Sequence, residues 1–288
     1  MKTIKLIVLT IVISLNTVYA QENSVNDPDF PPLENRYLGK KPQGLTPEPF
    51  APGIVSTEEY LETVVTYSPD MNEFSFTRSG GTYKEPTLIV MQNKNNQWQT
   101  KSIISSETEA KKYKEQFRPS LSEIRSHEPF KDIPIVGFSI SSKGTIFFYV
   151  LDFNDGGSGH MSYSRLIDGK YEKPHRMSKA INTGKYIAHP YIAPDESYLI
   201  WDAEKNGVNT PDIYISFRQP DGSWGAAINL GDAINTPLYE QHARVTPDGK
   251  YMFFWKGDVK VRDDGSRYVI GSPYWVDFIQ LRKKLSSK

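Results

Sequence analysis

The stretch TPDGKYMFFW, residues 246–255, joins a tight turn to an apolar strand. Proline presets the first central dihedral of a turn, the aspartate can accept a hydrogen bond from the backbone two residues later, and glycine accepts a positive φ. The aromatic and apolar residues that follow have the composition of a buried strand. The stretch therefore predicts a hairpin turn that leads into a β-strand.

Related turns recur along the chain, each followed by an apolar or aromatic run. Their equivalent positions are Asp70, Lys143, Asp195 and Asp248. The later copies are about 50 residues apart, and the first interval is roughly 20 residues longer. A regular interval of this size indicates a repeated structural unit.

Each unit has the pattern strand, turn, strand, loop, strand, turn, strand. An aromatic residue stands at the same place in three units, at Trp98, Tyr171 and Trp224, where core packing is expected. A four-stranded antiparallel sheet at this repeat length is typical of a β-propeller blade. We predict an all-β protein with four countable blades, in which the irregular stretch at about 105–127 is an insertion or a degenerate fifth blade.

The two ends of the repeat array are incomplete in complementary ways. Residues 44–57 have the pattern of an outer strand with no blade before it, with Phe50 and Ile54 at the spacing of the later outer strands. The last unit stops after its third strand, at Tyr274–Val276. We predict that the N-terminal segment pairs with the last blade and closes the ring, because an open array would leave an exposed sheet edge.

These residues resemble the TolB-like propeller repeats, whose consensus is a Ser-Pro-Asp-Gly-Lys turn followed by an aliphatic and aromatic strand. The resemblance is carried by 246–254 and 193–235, and it covers about residues 40–288. It implies a propeller fold in an exported bacterial protein and assigns little function, because propellers support both binding and catalysis. The sequence departs from the family at Lys143, which replaces the turn aspartate, and at 105–127.

The two ends of the chain also predict processing and location. Residues 1–20 have the lysines, apolar run and small residues of a secretory signal peptide, and residues 21–36 are a polar lead-in expected to be flexible. The propeller is predicted over 37–288. We expect a periplasmic or secreted protein without a membrane span.

Composition removes several function classes. The chain has no cysteine, which excludes thiolate nucleophiles, Cys-ligated zinc and iron–sulfur clusters. Its 34 basic and 34 acidic residues balance, which argues against nucleic acid as a partner. The expected partner is an envelope protein, a peptide or a glycan.

Four polar residues are candidates for a site at the channel mouth. His189 and His242 stand at the same distance before their turn aspartates, on predicted innermost strands, and Glu240 and Arg244 share a strand with His242. Imidazole, carboxylate and guanidinium groups together could bind an acidic sugar or hold a metal. Alternatively, these groups begin each strand and bond neighbouring backbone; Glu62 stands at the position equivalent to Glu240.

Two further motifs are weak. Residues 152–160 resemble a calcium loop only at their start, because the glycine comes one position early and Tyr163 stands where the terminal glutamate is required. The GGSGH stretch at 156–160 misses the nucleophile-elbow pattern at its last residue. Neither motif predicts a site, and no cofactor is assigned.

The leading hypothesis is an exported, non-catalytic binding or scaffold propeller of the bacterial envelope. It follows from the structural role of every recurring residue and from the absence of an evident acid–base pair. The alternative is a glycan-degrading enzyme, such as a metal-assisted polysaccharide lyase or hydrolase. The related oligogalacturonate lyases use an axial histidine and a metal, but none of their motifs is matched here residue by residue. A truncated family member without a ligand site is the third possibility.

Overall fold

A computed structural model describes residues 30–152, 158–204, 210–262 and 264–286. Strands contain far more of these residues than the few short helices do, so the prediction of an all-β protein is confirmed. The predicted signal peptide and most of the calcium-like loop lie outside the described residues. None of the helices in the described ranges is long and apolar enough to cross a membrane.

The first unit and the segment before it contain six strands. They are β1 (Glu48–Pro49), β2 (Leu61–Glu62), β3 (Thr66–Tyr67), β4 (Glu73–Gly80), β5 (Tyr83–Lys94) and β6 (Gln97–Ile104). The second unit contains β7 (Ile135–Ile140), β8 (Ile146–Asp152), β9 (Ser158–Ser164), β10 (Leu166–Ile167), β11 (Lys170–Tyr171) and β12 (His175–Arg176).

The third unit contains β13 (Lys185–Ile192), β14 (Tyr198–Glu204), β15 (Pro211–Phe217) and β16 (Ile228–Asn229), and the fourth contains β17 (Tyr239–Val245), β18 (Tyr251–Val261) and β19 (Arg267–Asp277). The helices are α1 (Leu33–Arg36), α2 (Glu107–Glu115), α3 (Leu121–Ser126) and α4 (Phe278–Ser286).

The second and third units each form a four-stranded antiparallel sheet. The strand orders are β12-β9-β8-β7 and β13-β14-β15-β16. The turns have the predicted chemistry, because Asp70, Asp195 and Asp248 each accept a hydrogen bond from the backbone N–H two residues later. The recurring aromatics Trp98, Tyr171 and Trp224 pack against the hydrophobic cores, as expected.

The first and last units are not separate four-stranded blades, which differs from the prediction. They share a nine-stranded sheet in which β19 pairs with β18, with β1 and, in parallel, with β2. The reason is strand length. β19 is 11 residues long and β1 is two, so β1 leaves most of the β19 edge free. Part of this edge pairs with β2 at Gly271 and Leu61, because unpaired edge groups favour a partner strand.

The N-terminal segment pairs with the last unit, as the sequence analysis expected. β1 is antiparallel to β19, with Glu48 opposite Trp275, and the Phe50 ring is buried 5.0 Å from the Trp275 ring. Ile54 is different, because 48 % of it is exposed. The strand pairings do not in themselves form a closed ring of blades.

Two residues at the boundary between the predicted lead-in and the predicted propeller, Arg36 and Tyr37, pack onto the last unit. Arg36 and Tyr37 are buried, the Arg36 Nη1 atom lies 3.0 Å from Asp248 Oδ2, and the Tyr37 hydroxyl donates to Asp248 Oδ1 at 2.6 Å. Asp248 therefore stabilises its own turn and also neutralises the buried Arg36.

The irregular stretch at 105–127 forms two helices rather than a fifth blade. Ser106 caps α2 and Ser120 caps α3, each by accepting a backbone N–H three residues later. Every residue between β6 and β7 is described, and none is in a strand. Ile124 of α3 is buried in the core of the second unit, whereas α2 has no buried residue. The helices lie between the first and second units, because α2 contacts β5 and β6 and α3 contacts β7.

Candidate functional site

His189 and His242 meet although they come from different sheets. Each has a positive φ, 49° and 57°, beside an irregularity in the pairing of its strand. Such bulges turn a side chain away from the regular alternation of a strand. Here they bring the two imidazole rings to a centroid distance of 3.5 Å.

Asp202 holds this pair in position. Its carboxylate lies 2.9 Å from His189 Nδ1 and accepts the His242 backbone N–H at 3.0 Å. The Asp202 side chain is only 1 % exposed, so its carboxylate is shielded from solvent where it makes these contacts. The sequence analysis missed Asp202. The signal that could have found it is a charged residue in the middle of the apolar run that forms β14.

Tyr149 completes the wall on the side of the second unit. Its ring contacts His189 edge-on at 5.6 Å, and burial together with the Asp202 charge raises its pKa to about 12. Gly137, on the neighbouring strand, leaves the space that the ring occupies, since a Cβ there would lie 2.7 Å from Tyr149 Cε1. Tyr149 is therefore a neutral hydroxyl group at this site at neutral pH.

His242 is also neutral at neutral pH. Burial lowers its pKa to about 4, and the nearby His189 and Arg244 act in the same direction, while Asp202 opposes them. A neutral imidazole can donate or accept a hydrogen bond, depending on its tautomer.

Two adjoining cavities open around these residues. The larger has a volume of about 870 Å³ and is lined by Tyr149 and His189, and the smaller has a volume of about 490 Å³. Both are lined by Lys114, Arg118, His242 and Arg244, among others. We call this shared region the junction, and define it by these four residues.

Three of the four junction residues are cations without acidic partners. Burial and the neighbouring Arg118 lower the pKa of Arg244 to about 10, and burial together with Arg118 also lowers the pKa of Lys114. Within the described residues, none of the three cations forms an ion pair. The glutamates that line the larger cavity are Glu85, Glu107 and Glu115. Glu62 lines the smaller cavity. The junction cations therefore share the cavity walls with glutamates but form no ion pair with them.

The insertion supplies two of these cations. Lys114 is on α2, and Arg118 is in the connection between α2 and α3. Both residues are exposed, and both line the two cavities. The sequence analysis recognised the stretch as irregular but assigned it no function, because the repeat pattern cannot show what an insertion faces.

Glu240 lies apart from the other three predicted site residues. Its fully buried carboxylate accepts the backbone N–H and the hydroxyl of Thr236, and it does not line either cavity. Glu62 binds Thr57 in the same way in the first unit. This repetition favours the structural alternative for both glutamates, in which they fix the start of a strand, although Glu62 also lines the smaller cavity.

The described residues do not form the metal site that the sequence allowed. No group of three or more histidine, aspartate or glutamate side chains in these ranges is arranged to hold a metal ion. The Glu240 carboxylate binds Thr236, and Asp202 contacts the ring of His189 but the backbone N–H of His242.

No family model matches the chain, and no curated protein matches it. Among solved structures, Kuenenia stuttgartiensis hydrazine synthase aligns with 78 % of this chain and 55 % of its own, at 13 % identity and a TM-score of 0.34. Endo-arabinase from Bacteroides thetaiotaomicron aligns with 74 % of this chain and 73 % of its own, at 12 % identity and a TM-score of 0.32. Oligogalacturonate lyase from Vibrio parahaemolyticus aligns with 75 % and 50 %, at 12 % identity and a TM-score of 0.31.

This chain thus spans about half the length of the hydrazine synthase and the lyase. Similarity at this level assigns neither a family nor an activity to it, and the resemblance to TolB-like repeats stays a prediction.

Proposed function

We propose that this protein is a non-catalytic binding protein of the bacterial envelope whose cavities take an anionic ligand at the junction. One observation carries the proposal: Lys114, Arg118 and Arg244 face the shared cavity space without an acidic partner among the described residues. Like charges held together cost free energy, so a site that keeps them unpaired favours an anion that neutralises them.

The proposed architecture is a β-propeller in which the N-terminal strand completes the last blade. Successive units pack in chain order, because β13 contacts the second unit and β17 contacts the third. The first and last units share a sheet, and the helices α2 and α3 lie between the first unit and the second. The meeting of His189 and His242 from neighbouring units supports a common axis, as does the position of the cavities beside them.

The ligand groups that fit the junction are carboxylates, as in an acidic glycan or an acidic peptide. Arginine binds a carboxylate through two parallel hydrogen bonds, and a partly buried site strengthens them. The neutral His242 and Tyr149 add hydrogen-bonding groups without further charge. The envelope location rests on residues 1–20 of the sequence and belongs to the proposal.

Isothermal titration with a tri-glutamate peptide, a galacturonate trisaccharide and uncharged maltotriose tests the anion site. We expect at least one acidic probe to bind and maltotriose not to bind. Arg118→Gln and Arg244→Gln should weaken binding at least tenfold, since a hydrogen bond to a charged group contributes about 1.5–3 kcal/mol.

The control is Arg165→Gln, because Arg165 is an exposed arginine paired with Glu172 away from the cavities. It should bind as the unchanged protein does. Absence of binding by both acidic probes, or equal losses in all three variants, would contradict the proposal. Arg118 is exposed, so its variant tests the site even if Arg244→Gln does not fold.

A second candidate function, a glycan-degrading enzyme, is favoured by the His189–Asp202 pair. The carboxylate at 2.9 Å orients the imidazole, which is the arrangement that a general base requires. Product formation from acidic oligosaccharides that is lost in folded His189→Gln and His242→Ala variants would establish the enzyme and overturn the binding-only function.

A further inference from the structure

Trp255 differs from the other tryptophans of the chain. The chain has five tryptophans, and Trp98, Trp201, Trp224 and Trp275 all belong to or pack against hydrophobic cores. Trp255 is in none of these cores and is half-buried on β18. Its indole lines the smaller cavity instead.

Two glycines make a flat support for this indole. Gly257 and Gly271 are directly opposite each other on β18 and β19, and a Cβ at either position would overlap the indole ring. Neither glycine has a positive φ in the described structure, so their backbone conformation does not require glycine. The space for the Trp255 ring explains the residue choice at both positions.

The supported indole lies close to the charged junction. Trp255 is opposite Gln241 in the pairing of β17 with β18, directly before the bulge that turns His242 into the cavities. Arg118 and Arg244 line the same smaller cavity. One ligand can therefore place an anionic group at the cations and a flat apolar face on the indole.

We propose that Trp255, held on Gly257 and Gly271, is a stacking subsite, and that the ligand is a carboxylate that carries a ring. This inference rests on the proposed anion site and specifies its ligand class. Aromatic side chains in a pocket bind flat apolar surfaces, while a few polar groups fix the orientation. The ring is that of a sugar acid or of an aromatic acid, since both combine a carboxylate with a flat apolar face.

Two matched pairs of monocarboxylates separate the ring from the charge. Glucuronate is compared with gluconate, an open-chain six-carbon sugar acid, and phenylacetate with hexanoate, by titration calorimetry or by NMR line shifts. We expect the ring compound of one pair to bind at least tenfold more tightly than its open-chain partner. The pair that shows this difference identifies the source of the ring.

Variants assign the difference to the indole. Trp255→Leu should remove the preference for the ring and leave the open-chain affinity within about twofold, whereas Arg244→Gln should weaken both members of the pair. Tyr268→Leu is the control, because Tyr268 is an exposed aromatic residue on the same hairpin, 38 % exposed, that does not line the cavities. Trp255→Met, which keeps a long apolar side chain without a ring, replaces Trp255→Leu if that variant does not fold.

The outcomes distinguish the two proposals. Equal affinity within both pairs, or a preference that persists in Trp255→Leu, overturns the stacking subsite and leaves the anion site intact. If none of the four carboxylates binds, the anion site fails and the stacking subsite fails with it.

Discussion

The imidazole rings of His189 and His242 lie 3.5 Å apart, and one carboxylate, that of Asp202, contacts the ring of the first and the backbone of the second. The two histidines occupy equivalent positions in neighbouring units, so the same bulge in two sheets brings them together. A bulge that is repeated in two sheets thus produces the His189–His242 contact, and the junction cations line the same cavity.

Acid should destabilise the protein through His242. Its pKa is about 4 in the folded protein and about 6.5 in an unfolded chain, so the unfolded state binds more protons between these values. Stability is therefore complete above pH 6.5 and falls as the pH decreases towards 4, by roughly 2–3 kcal/mol. Urea unfolding across this range measures the loss. His242→Gln should flatten this part of the profile, and an unchanged slope would show that other groups cause it.

Loss of the buried ion pair at the turn of the last unit should be costly. Asp248→Asn leaves Arg36 buried without a counter-ion, which typically costs about 3–5 kcal/mol. Asp195→Asn is the matched control, because Asp195 caps an equivalent turn with exposed hydrogen bonds and should lose about 1 kcal/mol. Equal losses in urea unfolding would show that the turn, rather than the ion pair, makes Asp248 important.

The N-terminal segment should contribute to stability through Phe50 and not through Ile54. Phe50→Ala removes a fully buried ring that packs on Trp275 and Phe253, at an expected cost of about 3–5 kcal/mol. Ile54→Ala changes an exposed side chain and should cost less than about 0.5 kcal/mol. Similar effects of the two substitutions on the free energy of unfolding would contradict the observed packing.

Removal of a junction cation should affect stability and binding in opposite directions. Arg118→Gln relieves the repulsion with Arg244 and Lys114, so without a ligand the variant should be as stable as the unchanged protein or up to about 1 kcal/mol more stable. The same variant should gain less thermal stabilisation from an acidic probe. Thermal melts with and without the probe measure both effects. A clear loss of stability without a ligand would show that Arg118 has a structural role.

The repeat pattern predicted the local structure well. The turn aspartates, the four-stranded sheets of the middle units and the contact of Phe50 with the last unit all depend on short-range chemistry or on the period of the strands. The same comparison suggested that Glu240 repeats the position of Glu62. The structure shows that both carboxylates bind a nearby threonine, which makes Glu240 part of the repeated framework.

The remaining part of the candidate site could not be predicted. Asp202 appears in the sequence as one more residue of a buried strand, and Lys114 and Arg118 belong to a stretch without the repeat pattern. Trp255 is of a residue type that usually packs in a core. The close approach of its ring to Gly257 and Gly271 is seen only in the structure. These assignments need the relative positions of segments that are distant in the chain.

By itself, the amino-acid sequence determined the all-β class, the unit length and the turn chemistry, because these follow from preferences within a few residues and from their period. Tertiary structure alone decided which polar groups share a cavity. Bulges redirected two histidines out of the regular alternation, and the length of β19 merged two units into one sheet. The insertion placed two cations in the same cavity as Arg244. Each of these outcomes depends on how distant segments pack against one another, and a pattern within a few residues does not predict that packing.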